Sequence, residues 1–378
     1  MSSCTVLYRN RIRPISQLHP ELNALNSSMK RLVSTGKLQT WLFQPKSPRL
    51  NHLFVKTLSA PLLSRNNHHK AHSTPTTKPT ENKAIMAPSG PFSVTVHPFE
   101  SKTRASCAYE IGLASAKNAV IFIGGLTDGP HTIPYTRLLA QRLEEAKELG
   151  YSVFEIRMRS SFIGFGISSL SNDVEDISSL VKYLRSIGKE KIVLFGSSTG
   201  CQDCIEYTNY AKHNNEHVDG FIMQGPISDR ETLDLIMPDP QPSLDLAAKM
   251  IAEGKEGDCM PFDMIPAVLG APISAYRFQS LAAPGGDDDY FSSDLDEERV
   301  AANWARFEKP VLVLHSGNDE YVPERVDQAA RNKKYQELNP VVSPLSGLIP
   351  GASHTVDQPE AQEWLTKRVI EFLGTLAK

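Results

Sequence analysis

Ser198 stands at the centre of Gly196-Ser197-Ser198-Thr199-Gly200, a G-x-S-x-G spacing. A serine hydroxyl is a poor nucleophile until a base takes its proton, and that base needs an orienting acid. Two later residues have the right chemistry, Asp319 in "VLVLHSGNDEYVP" and His354 in "LIPGASHTVD". Alone, each has a blander reading, Asp319 as a turn cap and His354 as an incidental loop histidine. Together, in the order serine, acid, histidine, they compose a proton relay for acyl transfer. The flanking glycines let backbone pack closely around a tight turn while the serine takes a strained conformation. An oxyanion formed there needs two backbone donors. Thr199 follows the nucleophile, and Leu126 follows Gly124-Gly125 at the end of an apolar run. A glycine pair after a strand also suits phosphate, but no G-x-G-x-x-G or Walker spacing accompanies it.

These residues need elements to position them. "FSVTVHPF" and "ASCAYEIG" alternate like two antiparallel strands. "NAVIFIGG", "YSVFEI", "KIVLFG", "VDGFIMQG" and "KPVLVLHSG" are apolar runs suited to strands covered on both faces, and "VSPLSGLIP" is a weaker one. Between them lie helical patterns. One carries Leu139, Leu143 and Ala146 and stops at Gly150; another carries Val174, Ile177, Val181 and Leu184 and stops at Gly188. A third, "CQDCIEYTNYAKH", puts Cys201, Cys204, Ile205 and Thr208 on one side, and a closing helix aligns Leu365, Val369, Phe372 and Leu376. The order predicts an α/β domain over 91–378, with a mostly parallel twisted sheet and helices on both faces. Residues 231 to about 305, rich in Pro, Asp and Met with broken helical patterns, read as a lid inserted above the sheet.

Charge divides the chain unevenly. Residues 1–90 carry 13 Lys and Arg against Glu21 and Glu81, a net +11, which leaves −14 on the remainder. An acidic body argues against nucleic acid as a partner. No apolar run approaches the roughly 18 residues of a membrane span. The first ninety residues are expected to be disordered. Their Arg-rich, acid-poor opening has the composition of a mitochondrial transit peptide, while Met86 in "MAPSGPF" offers a later start that would make them non-essential. Five sparse cysteines fit a reducing compartment, so a cytoplasmic location is expected, with a mitochondrial one as the alternative. Nothing in the sequence speaks to oligomeric state.

Several rival signals read structurally. Cys201 and Cys204 have C-x-x-C spacing, but without a second pair they read as buried helix packing. His315 sits at a strand end with no nucleophile beside it, and reads as structural. His131 is equally a pocket or a surface residue. "GGDDDYFSSDLDEE", with Asp287–Asp289, lacks the spaced ligands of a calcium loop and reads as a solvated lid loop with a helix cap.

The general motifs match the α/β-hydrolase fold. Beyond them, "FIGGLTDG", "SSFIGFGISSL", "GSSTGCQD", "GGDDDYFSSDL" and "HSGNDEYVP" resemble a hydrolase family of fungi and plants that includes esterases cleaving fusarinine-type siderophores after iron uptake. The resemblance implies a cytosolic serine esterase acting on hydroxamate siderophore esters, with Ser198, Asp319 and His354 as triad. Ser197 departs from the pattern, standing where such elbows often carry histidine. The expected ligand is a small-molecule ester, and no metal or organic cofactor is expected. A thioesterase or acyltransferase on the same residues, and a non-catalytic receptor on this scaffold, stay open at this level.

Overall fold

Eight strands form one sheet in the order β1-β2-β4-β3-β5-β6-β7-β8 in this computed structural model, which describes residues 90–376. The strands are β1 (Thr95–Pro98), β2 (Cys107–Gly112), β3 (Asn118–Ile123), β4 (Tyr151–Arg157), β5 (Ile192–Ser197), β6 (Gly220–Gln224), β7 (Val311–Ser316) and β8 (Gly347–Ile349). β1, β2 and β4 pair antiparallel, and every later pairing is parallel. The expectations of disorder, of a transit-type opening and of a later start at Met86 concern residues that, Gly90 apart, lie outside the described ones.

Ten α-helices, in chain order, lie among the described residues. They are α1 (Tyr135–Glu145), α2 (Leu170–Ser186), α3 (Thr199–Tyr207), α4 (Tyr210–His213), α5 (Asp229–Ile236), α6 (Gln241–Ala252), α7 (Ala275–Ala282), α8 (Glu297–Ala305), α9 (Gln328–Leu338) and α10 (Pro359–Leu376). The run expected as one helix over 201–213 is two, because Asn209 caps a fresh turn by accepting from the Lys212 amide.

Side chains of a strand alternate between faces, and β3 shows the result. Ile121 and Ile123 join a cluster with Val174, Ile177 and Leu184 of α2 and Cys201, Cys204 and Ile205 of α3. Val120 and Phe122 join the opposite cluster, with Leu139 and Leu143 of α1 and Val369 and Phe372 of α10. Each such side chain taken fully from water contributes about 1.5–3 kcal/mol. The sheet is therefore covered on both sides, which is why its central strands read as unbroken apolar runs.

A separate small core lies within the segment read as a lid. Leu233, Ala247, Met260, Ile273, Phe278 and Ala282 pack together there. The end of that segment belongs elsewhere: Trp304 of α8 is buried in the main cluster and stacks on Tyr335 at 4.0 Å. The acidic loop is solvated at Asp287 and caps α8 through Asp296, as expected, but the two carboxylates after Asp287 are not solvated. Asp288 is buried, accepting from Arg277 Nη1 at 2.5 Å and from Ser280 Oγ at 2.5 Å, because the interred guanidinium demands a carboxylate. Asp289 is buried as well and accepts from the Gly285 amide at 2.9 Å.

Strand order also sets where a ligand can enter. From β3 the chain goes outward to β4, then crosses back to β5 on the other side of β3. Loops leaving the carboxyl ends of β3 and β5 thus diverge and leave a crevice between them. Gly124-Gly125 follows the first strand and Ser198 the second.

Candidate active site

Ser198 occupies the turn between β5 and α3 with φ 53° and ψ −122°, a left-handed conformation that costs a residue with a side chain. The turn closes because Gly196 and Gly200 cross: a Cβ on Gly196 would overlap the Gly200 carbonyl, and one on Gly200 would overlap that of Ile123. The spacing of the two glycines is thus a steric requirement of the turn.

The three distant residues converge. Ser198 Oγ lies 2.9 Å from His354 Nε2, and His354 Nδ1 lies 2.8 Å from Asp319 Oδ2. A carboxylate can only accept, so the imidazole donates from Nδ1 and leaves Nε2 to receive the serine proton. Asp319 is held in turn by the Tyr321 amide on its Oδ1 at 3.1 Å, and the His354 amide donates to Glu320 Oε2 at 2.9 Å. Tyr321 packs edge-on against the imidazole, with ring centroids 5.1 Å apart.

Ser198, Ser197, Leu126, Asp128 and His354 open on a cavity of about 220 Å³ whose wall is mostly apolar. Leu126 and Thr199 flank the serine, and among the described residues neither amide has a hydrogen-bond acceptor. Asp128 shapes the first of these loops by accepting from the Gly125 amide at 3.0 Å and from Thr132 Oγ1 at 3.0 Å. Burial pushes the Asp128 carboxyl above its usual range. Gly125 lies so close that a Cβ would sit 2.7 Å from that of Ser198. Gly125→Ala therefore forces the loop away and carries the Leu126 amide with it. The expected outcome is a fall in ester kcat of about 100-fold and a loss of about 1–3 kcal/mol in unfolding free energy, checked by turnover and urea denaturation.

Gln224, at the end of β6, has no counterpart among the residues singled out from sequence. Its buried Oε1 accepts from Tyr135 Oη at 3.0 Å and from Ser197 Oγ at 2.8 Å. Its Nε2 donates to the His354 carbonyl at 2.9 Å and to Ser316 Oγ at 3.2 Å, and its own carbonyl accepts from the Ser198 amide at 2.9 Å. One side-chain amide thus joins the serine turn, the histidine loop and α1. A lone glutamine in an otherwise apolar buried strand was the available signal. Ser197, in the position where histidine was the comparison, spends its hydroxyl on this bond.

The rival histidines stand apart from the relay. His131 pairs with the buried Glu155. His315, a residue of β7, is buried, and that burial, reinforced by Arg331, pushes its imidazole down to about 3. The folded state keeps His315 neutral while the unfolded chain takes up its proton near the ordinary value of about 6.5, so stability is lost as pH falls below that. With that shift this residue should account for about 3 kcal/mol lost by pH 4. His315→Gln should remove that part of the acid slope, as seen by denaturant unfolding at pH 7 and pH 4. Cys201 and Cys204 are fully buried in the core, where burial pushes both thiols up.

Known proteins share this arrangement of chain. Residues 84–374 match the family described as "Protein of unknown function (DUF1749)". A UPF0613 protein of Schizosaccharomyces pombe is 33% identical over 281 residues, covering 68% of this chain and 87% of its own. Fusarinine C esterase sidJ of Aspergillus fumigatus is 28% identical over 351 residues, covering 77% of this chain and 98% of its own. Siderophore hydrolase EstB from Aspergillus fumigatus matches in structure with a TM-score of 0.64 at 27% identity, covering 76% of this chain and 99% of that one. The sheet order, the helices on both of its faces and these matches agree: the chain belongs to the DUF1749 family, and its α/β-hydrolase fold and named relatives are those of carboxylic ester hydrolases.

Proposed function

We propose that this protein hydrolyses carboxylic esters through an acyl-enzyme formed on Ser198, with His354 as base and Asp319 as its orienting acid. The observation that carries the reading is the unbroken relay from Asp319 through His354 to Ser198, ending at a cavity. Ser198 Oγ attacks the ester carbonyl as its proton passes to His354 Nε2. Negative charge on the carbonyl oxygen is met by the amides of Leu126 and Thr199, aided by the N-terminus of α3. The tetrahedral centre collapses, the bond to the alcohol breaks, and His354 returns the proton to the departing oxygen. A water then gives a proton to His354 and its oxygen to the acyl carbon, releasing the acid and restoring the serine. Asp319 remains ionised throughout and holds the imidazolium in place.

Within the ester class we assign hydroxamate siderophores as the substrate. That assignment is supported by the names of two relatives, a fusarinine C esterase and a siderophore hydrolase, each matched over nearly its whole length. A reducing cytoplasm is the proposed setting, in keeping with four free cysteines among the described residues. No described helix is long and apolar enough to cross a membrane. A fluorophosphonate probe should label Ser198, and a panel of esters that includes iron-free and ferric siderophores should be turned over. A serine that stays unlabelled would contradict the mechanism, and a panel on which only simple esters react would contradict the substrate.

A further inference from the structure

His131 belongs to the loop that follows β3 and carries the Leu126 amide, yet it does not line the cavity at Ser198. Its Nδ1 meets Oε2 of Glu155, a carboxylate buried in β4 beside Phe122 of β3. The other oxygen of Glu155 accepts from Thr136 Oγ1 of α1 at 2.8 Å. The imidazole packs edge-on against Phe92 and Tyr109, with ring centroids 5.3 and 4.9 Å away. The loop is under strain. Thr127 and His131 have φ of 68° and 71°, and Phe162, whose amide donates to the Asp128 carbonyl at 2.7 Å, has φ of 60°. Residues with side chains keep such conformations only where surrounding bonds over-determine them. Within the loop, hydrogen bonds join Gly125, Asp128, Gly129 and Thr132 to one another. Among the described residues, two polar ties fasten residues 126–132 to other elements, the Phe162 amide and the Glu155 carboxylate.

We infer that His131 is a positioning residue for the oxyanion: its bond to Glu155 anchors the loop that presents the Leu126 amide to the reacting carbonyl. The inference rests on the esterase reading above and deepens it. The path from anchor to amide is continuous. A buried carboxylate is costly without a donor, so Glu155 fixes where the imidazole stands. Thr132, the next residue, donates to Asp128 Oδ1, and Asp128 Oδ2 accepts from the Gly125 amide, one peptide before Leu126. An anchor of this kind acts where negative charge develops. Losing it therefore costs transition-state stabilisation and leaves substrate binding as it was. Acylation and deacylation use the same two amides, so both slow together and KM stays.

Three variants separate the bond from the backbone conformation. His131→Gly relieves the strain at residue 131 and removes the bond. It should lower kcat on 4-nitrophenyl acetate about 30-fold with KM unchanged, short of the loss of a whole donor. His131→Asn tolerates the same φ and offers a side-chain N–H toward Glu155, and should stay within about threefold of the parent. Adding Glu155→Gln to His131→Gly removes the unpaired buried charge, so this pair should melt like the parent and remain about 30-fold slow. Labelling of Ser198 by a fluorophosphonate, whose phosphoryl oxygen occupies the oxyanion site, should slow in parallel. Parent-like kcat in His131→Gly or in the double variant, or a change confined to KM, overturns the anchor and leaves the esterase reading standing. So does His131→Asn as slow as His131→Gly. Slowed labelling in a protein that turns over no ester supports the anchor and removes the esterase reading. A parent that neither labels nor turns over ester removes both.

Discussion

On the proposed mechanism, Ser198→Ala should lower ester turnover by about 10⁵-fold or more in kcat while the protein stays folded. The size of the effect comes from the role. Without Oγ there is no acyl-enzyme, and only the two amides and substrate positioning remain to assist a water. Stability should hold because Ser198 is half-buried and its amide bond to the Gln224 carbonyl is made by backbone. Alanine must still adopt φ 53°, a strain that serine already bears in the same turn. The check pairs single-turnover kinetics with a thermal melt. Activity within tenfold of the parent would remove Ser198 from the mechanism.

Asp319→Asn should cost about 10⁴-fold in kcat, about 5 kcal/mol of transition-state stabilisation. Asparagine fits the same space and can still accept from the Tyr321 amide. Its amide nitrogen would then face His354 Nδ1, where a donor meets a donor. The imidazole resolves this by carrying its proton on Nε2 instead, and it can no longer take one from Ser198. The loop itself should stay in place, since Glu320 and Gln224 hold the backbone of residue 354 independently. A crystal structure of the variant with unchanged backbone and a nearly inactive enzyme is the expected pair of results. A loss of only a few-fold would mean that Asp319 does not set the tautomer.

Which parts of this were readable from residues alone follows from the reach of each signal. The relay was readable because its members sit at strand ends in a fixed chain order, beside apolar runs that announce the strands. Helix α9 was not, because only Asn332 and Tyr335 are buried on it and no apolar stripe marks it. The role of Gln224 was hidden for a different reason: its partners lie 27, 89, 92 and 130 residues away, beyond any local pattern. Asp288 read as solvated since acidic runs usually are. Only the buried Arg277, eleven residues earlier, reverses that expectation.

The amide of Gln224 has a consequence for how this protein fails and how it changes. Since a single buried group fastens nucleophile, base loop and α1 to one strand, heat should destroy turnover and tertiary order at one temperature, with no active but half-melted stage. For the same reason Gln224 can change only together with the partners it holds on those elements.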